Sequence, residues 1–236
     1  ARVHSTTAAV ARQLNAQWRF EPRFLTASLL LEGSAIDIAT ARRETYSRPG
    51  ALPHVLPGTA EQDMMRRDFS VNAIALGLAG PSKGRVLDPC AGERELRSRI
   101  LRVLHERSFT DDPTRILRGI RLASRLRMSF DRATRRLASE SVRSGMLGRV
   151  SADRLREEIL LLLQEPDPAG ALALGKTVGA TQALLPGIEI GRRLSLALKR
   201  AREYQGLLPE SERSGLMLLV LLAFSRQPMH AARALG

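Results

Sequence analysis

The spacing of apolar residues changes near residue 111, and the change limits the chain to a mixed α/β part followed by a helical one. From Asp111 onward the period is helical throughout. Asp112 can cap a helix and Pro113 suits its first position. Ile116, Ile120, Ala123 and Leu126 then form an apolar stripe, and Arg118, Arg121 and Arg125 form a second stripe, basic and solvated. Residues 131–142 predict the next helix. Ser151 caps another, with Leu155, Ile159, Leu162 and Leu163 inward, and residues 166–178, 194–204 and 210–225 predict further ones. Upstream the elements are shorter. Residues 6–14 read as the end of a helix. Residues 23–32 and 35–40 read as strands around the turn Glu32-Gly33-Ser34. Residues 41–58 are irregular, broken by Pro49-Gly50, Pro53 and Pro57-Gly58. Strands at 85–88 and 100–104 flank a turn and short helix at 90–97.

Composition decides what such a chain can bury and meet. Of 236 residues 44% are hydrophobic but only 4% aromatic, so aliphatic side chains must fill the core. Lys and Arg number 37 against 24 Asp and Glu, a formal charge of +13, and Arg far outnumbers Lys. The planar fork of Arg suits phosphate, so a polyanionic partner is expected; an Arg-rich codon bias would give a similar excess. Cys90 is the single cysteine, which rules out an intramolecular disulfide and thiolate metal sites and fits a reducing, cytoplasmic setting. His4, His54, His105 and His230 show no metal-ligand spacing. The first ten residues carry no signal-peptide pattern. The longest apolar run, residues 215–224, is shorter than the roughly 20 residues of a membrane span and predicts a buried helix.

Two stretches concentrate chemistry. In DMMRRDFSVNAIA, residues 63–75, polar groups head an apolar segment. Thr59-Ala60-Glu61-Gln62 has the capping-box form, so a helix begins near Ala60. On that helix Asp68 and Asn72, four apart, share a face. Arg66 and Arg67 beside a carboxylate and an amide can grip phosphates and a ribose together. An amphipathic helix with a solvated polar end is the simpler account of the same residues. In the second stretch Asp112 and Arg115 sit three apart at a helix N-terminus, an acceptor and a donor fork able to bond a nucleobase edge. Here too an N-cap beside a surface arginine is the simpler account. Asp37 alternates with Ile36 and Ile38 on the second strand, either an edge residue facing water or a metal ligand.

Taken together, IDIATARRETYSRPGALPHV, EQDMMRRDFSVNAIA and LDPCAGERELRSRILRVLHERSFTDDPTRILRGIRLASRL resemble the class II tRNA nucleotidyltransferase and bacterial poly(A) polymerase family in order and spacing over residues 20 to 190. The resemblance implies an α+β fold. Residues 1–107 would be an incomplete nucleotidyltransferase head, a small antiparallel or mixed sheet with helices. Residues 108–185 would be an all-helical neck that recognises nucleotide and RNA, and 186–236 the start of a helical body. It implies that Arg67, Asp68 and Asn72 bind the sugar and phosphates of the incoming nucleotide. Asp112 and Arg115 would read the Watson–Crick edge of CTP or ATP, with Arg118 and Arg121 on the triphosphate. Asp88, Gly92 and Arg102 would link head and neck in the hinge that reorients the pocket. Asp37 would accompany the catalytic carboxylates as a ligand of a divalent metal, Mg2+. The expected partners are the tRNA acceptor arm, or another RNA 3′ end, and a nucleoside triphosphate.

The sequence departs from that pattern in four places. Asp111 stands where Glu is usual, Ala91 and Glu95 stand in the hinge motif where Gly and Asp are common, and Leu25 stands where Gly is common. The Gly-Gly-x-Val-Arg-Asp turn and Asp-x-Asp metal strand of the family are not in this sequence. Residues 1–20 resemble the helix that follows that strand, so a chain whose N-terminal part is missing is expected. Nucleotide addition to tRNA 3′ ends is the leading expectation. A poly(A) polymerase or a catalytically incomplete nucleotide- and RNA-binding protein are the alternatives.

Overall fold

The structure, a computed structural model, describes residues 2–235. They form two compact units. One runs to Ser47 and resumes over Pro53–Arg66; the other takes Arg48–Leu52 and the chain from Arg67 on.

In the first unit, α1 (Arg2–Leu14) precedes an antiparallel meander of β1 (Gln17–Glu21), β2 (Thr26–Leu31) and β3 (Ser34–Ala39). Gly33, at φ +74°, makes the tight β2–β3 turn that its neighbours predict. Ala27 and Leu29 of central β2 are buried, and Thr7 and Ala11 are the buried positions of α1, which packs on that strand. The register sets Ser28 opposite Asp37 on edge strand β3. The expectation of an irregular segment at 41–58 is corrected: β4 (Arg42–Thr45) and β5 (His54–Pro57) pair as an antiparallel ladder. A strand reading Arg-Arg-Glu-Thr shows no apolar alternation, and its charges are held by side chains instead. Glu44 accepts from Arg42 Nε at 3.2 Å, Arg66 Nη1 at 2.7 Å and Tyr46 Oη at 3.1 Å.

The capping box forms as predicted at the head of α2 (Ala60–Met65), with Thr59 Oγ1 and Gln62 Oε1 each accepting the other's backbone N–H. The helix, however, ends at Met65 and does not carry Asp68 and Asn72. Phe69 is extended (φ −134°, ψ 151°) and bridges Val103, Ser70 N–H donates to Arg102 O, and Ser70–Asn72 is a single 3-10 turn. Burying the whole Phe69 ring against the second unit's core outweighs the local helical preference.

In the second unit β6 (Ala75–Leu76) pairs with β7 (Val86–Leu87), α3 (Gly92–Arg97) follows, and β8 (Ile100–Leu101) pairs in parallel with β9 (Ser129–Phe130). The remainder is helical: α4 (Ser108–Asp111), α5 (Thr114–Leu126), α6 (Arg132–Arg143), α7 (Ala152–Leu163), α8 (Pro168–Thr177), α9 (Ala180–Leu184), α10 (Arg192–Tyr204), α11 (Glu210–Ala223) and α12 (Pro228–Leu235). The α+β order read from the sequence holds, and β1, α9 and α12 add to it. α5 is central, packed on α7 and α8, with Ile116, Ile120 and Ala123 buried as the stripe requires, although Leu126 is exposed. Gly119 lets α5 approach closely, since a Cβ there would meet the Phe69 ring at 2.5 Å. The apolar run at 215–224 lies on α11 but buries one face only: Met217 and Leu221 are inside, and Leu219 is 66% exposed.

Candidate functional site

Beyond the end of α2 the chain brings two side chains of the first polar stretch, Asp68 and Asn72, to one face of α5. Asp68 is buried, and its Oδ1 accepts from Phe69 N–H at 3.0 Å and Asn72 Nδ2 at 2.9 Å. Its Oδ2 takes Arg118 Nη2 at 2.7 Å. Arg67 Nη1 donates to Asn72 O at 3.3 Å. Asp68 and Asn72 thus meet through a tight turn, not through a shared helical face. With Arg118, Arg121, Leu122 and Arg125 they line a cleft of about 230 Å³.

The basic stripe is not simply solvated. Arg121 Nη1 donates to Glu158 Oε2 at 2.9 Å and Nε to Glu165 Oε1 at 3.3 Å, leaving its side chain 17% exposed. Arg125 Nη2 reaches Glu165 Oε1 at 2.6 Å. The hydrogen bond from Arg125 holds the Glu165 carboxyl below its usual range. Burial pushes Glu158 up, against the opposing pull of Arg121. Both glutamates are on α7 or just past its end, far from α5 in sequence, and no local spacing announces them. The result is a row of guanidinium groups fixed by carboxylates along a small cleft, with an amide and a buried carboxylate in its lining. Such a row can receive phosphate oxygens while Asp68 and Asn72 meet hydroxyls.

Asp112 and Arg115 are placed differently. Both are buried. Asp112 Oδ1 accepts from Thr114 N–H at 3.2 Å, Thr114 Oγ1 at 2.7 Å and Arg154 Nη2 at 2.9 Å, and Arg115 Nη1 donates to Ser108 Oγ at 2.9 Å. The expected cap is corrected: Pro113 holds the N-cap position of α5, and Asp112, one residue earlier, bonds Thr114 in its first turn. Arg154, unannounced in the sequence, joins Asp112 to the segment around Gly50, whose O accepts from Arg154 Nη1 at 3.1 Å and whose N–H donates to Asp111 O at 3.2 Å.

The expected hinge residues surround α3. Asp88 Oδ1 and Oδ2 accept from the N–H groups of Gly92 and Glu93, capping that helix. A Cβ on Gly92 would meet Ser70 O at 2.3 Å, so glycine is required for α3 to lie against the turn that joins Asp68 to Asn72. Glu95, buried, receives Arg102 Nε at 2.7 Å and bonds Ser70 Oγ.

Asp37 stands in the first unit, exposed on β3, its Oδ1 accepting from Ser28 Oγ at 2.6 Å. Among the described residues no three His, Cys, Asp or Glu side chains gather as a metal centre. One carboxylate engaged by a serine does not fit a two-metal site. His4, exposed, stands edge-on to Trp18 and Phe20. No helix among the described residues is long and apolar enough to cross a membrane.

This α+β order of short strands and helices matches the fold of solved CCA-adding enzymes, and residues 1–102 match the Poly A polymerase head domain. The chain resembles the tRNA nucleotidyltransferase and poly(A) polymerase family. It is 37% identical over 199 residues to the A-adding tRNA nucleotidyltransferase of Halalkalibacterium halodurans, covering 83% of this chain and 46% of that protein. It is 41% identical over 172 residues to the CC-adding tRNA nucleotidyltransferase of Deinococcus radiodurans, covering 72% of this chain and 45% of that one. Among solved structures, an apo CCA-adding enzyme superposes with a TM-score of 0.80 at 31% identity over 99% of this chain and 56% of its own. A tRNA nucleotidyltransferase complexed with a primer tRNA and an incoming ATP analog gives 0.76 at 29% identity, covering 99% and 68%. The chain therefore spans less than half the length of the two sequence relatives named.

Proposed function

We propose that this chain carries the nucleotide-holding and RNA-binding parts of an enzyme that adds C, A or both to tRNA 3′ ends. The observation that carries this reading is the cleft in which Asp68 and Asn72 face Arg118, Arg121 and Arg125, in a chain that resembles this family. In this reading Arg67, Asp68 and Asn72 hold the ribose and phosphates of CTP or ATP. Arg118 and Arg121 take the triphosphate, and Asp112 and Arg115 select the base. Asp88, Gly92 and Arg102 set the angle of the turn that carries Asp68 and Asn72. Residues 1–107 serve as head, 108–185 as neck and 186–236 as the start of the body, and the basic helical part meets the acceptor arm through its backbone. The setting is the cytoplasm, with Mg2+ as the family's divalent ion. Relatives that add A and relatives that add CC are both similar to this chain, so the choice between them belongs to experiment.

The test is incorporation of labelled CTP and ATP into tRNA lacking its 3′ end, beside direct binding of each nucleotide. Incorporation that Asp68→Ala abolishes supports the enzyme reading. Nucleotide and tRNA binding without incorporation favours a binding role for this chain alone, which the lack of a carboxylate cluster among the described residues supports. Neither binding nor incorporation defeats both.

A further inference from the structure

A second and larger cavity, about 650 Å³, opens on the helical unit, lined by Lys176, the loop at 187–191, Arg192, Arg193, Phe224 and Arg226. Its side chains come from three elements far apart in sequence. Lys176 lies in the last turn of α8, Arg192 and Arg193 begin α10, and Phe224 and Arg226 follow α11. The loop that joins them is pinned. Glu189 N–H donates to Phe224 O at 3.2 Å, Ser225 Oγ donates to Pro186 O at 2.9 Å, and Ile188 is buried beneath. Gly187 (φ +69°) leaves room for Arg226, whose Cβ a side chain there would meet at 2.7 Å. Among the described residues of its lining Glu189 is the single carboxylate against four cations, and Arg226 occupies it at 2.6 Å. The charge left over is positive and held on a preformed concave surface. Gly191 brings no side chain to cap α10, so that helix adds its open N–H groups to the same wall.

We propose that this cavity binds phosphodiester groups of the RNA substrate, a docking point separate from the cleft that holds the incoming nucleotide. The proposal rests on the functional reading above for the identity of the RNA. The charge suits phosphate: exposed Lys and Arg beside one satisfied carboxylate leave donors for backbone oxygens. RNA is favoured over free nucleotide because Lys176, Arg192 and Arg193 are spread along an open wall from two separate helices, whereas the guanidinium row of the smaller cleft stands on α5 alone.

The test compares wild type, the Lys176→Gln/Arg193→Gln double variant and Glu189→Gln for affinity to tRNA lacking its 3′ end and, separately, to ATP and CTP, across salt concentrations. Each phosphate left without its cation lowers the log–log salt slope by about 0.9 for a duplex. The double variant should therefore bind tRNA about tenfold more weakly at low salt with a slope smaller by about 2, and bind ATP and CTP unchanged. Glu189→Gln frees Arg226 and should bind tRNA more tightly, a gain that a merely structural carboxylate would not give. Wild-type tRNA affinity in the double variant overturns the proposal, as does an equal loss of ATP affinity. A wild-type chain without measurable tRNA affinity sinks the functional reading and this site with it, an outcome distinct from either.

Discussion

The two polar clusters that the sequence singled out are built in opposite ways. At the Asp68 cluster the carboxylate is buried, but its partners Asn72 and Arg118 face a cleft, and Arg118 keeps 43% of its side chain exposed. At the Asp112 cluster both members are buried, and the carboxylate is already shared among Thr114 and Arg154. The first opens on a cleft. The second is organised toward the start of α5, and a base reaching it would have to share Asp112 with Arg154. Burial preorganises a hydrogen-bonding edge at the cost of access. Their common support is aromatic: Phe69, next to Asp68, and Phe109, on α4 before Asp112, lie 6.4 Å apart in one core.

That shared support gives the largest expected effect. Phe69→Ala removes a ring with no exposure and should cost about 3–5 kcal/mol of stability. It should weaken nucleotide binding and loosen both clusters, as read by denaturant unfolding and ATP titration. Loss of binding with Asp112 still protected from solvent would mean that the clusters are independent. Next is Asp68→Asn, which keeps the shape but removes the charge that holds Arg118. Hydrogen bonds to charged groups contribute about 1.5–3 kcal/mol, and the exposure of Arg118 places the loss toward the lower end. ATP and CTP affinity should fall at least tenfold, equally for both. An unequal fall would move base discrimination to this cluster and break the contrast. Asp112→Ala leaves Arg154 without its carboxylate acceptor, with Thr114 Oγ1 at 3.4 Å still in place, and should cost about 1–2 kcal/mol. It should change the ratio of CTP to ATP use while sparing triphosphate affinity. An unchanged ratio would leave Asp112 with a structural role only, holding Thr114 and Arg154.

The same contrast explains what the sequence could show. Local chemistry was legible: the capping box at Thr59, the glycine turn at Gly33, the α5 stripe through Ile116, Ile120 and Ala123, and the change of pattern near Asp111. What escaped is long-range. α2 stops at Met65 because Phe69 is drawn into a bridge with Val103, and nothing within a helical window reports that pull. Arg154, Glu158 and Glu165 complete the two clusters from α7 and just beyond it, about 40 residues from their partners, where period and capping are silent. The family resemblance placed Asp68, Asn72 and Arg118 in one site, and the cleft does gather them; it placed Asp37 with them in function, while among the described residues Asp37 has only Ser28 as a hydrogen-bonding side chain. The strand Arg42–Thr45 was lost to its own charges, since pairing in β-sheets is read from apolar alternation and this strand has none.

The smallest effect separates the two glutamates behind the cleft, which shift in opposite directions. Glu165, held below its usual range by Arg125, stabilises the fold above the ordinary carboxylate pKa and loses that contribution as pH falls through its depressed value. Glu158, raised by burial, does the reverse. The folded state takes up its proton before the unfolded state does, so stability declines as pH rises from the ordinary value through the raised one. Glu158→Gln keeps the shape and a hydrogen-bonding group for Arg121 but removes the titration. It should change stability at neutral pH by less than about 1 kcal/mol and flatten the curve on the acid side. Glu165→Gln should instead lower stability at neutral pH, by an amount that shrinks toward acid. The pair of curves, measured as melting temperature against pH, tests whether Arg121 and Arg125 are oriented by charge or by packing. Parallel curves for the two variants would mean that packing alone fixes the guanidinium row, and the cleft would then owe its arrangement to α5 and not to the carboxylates behind it.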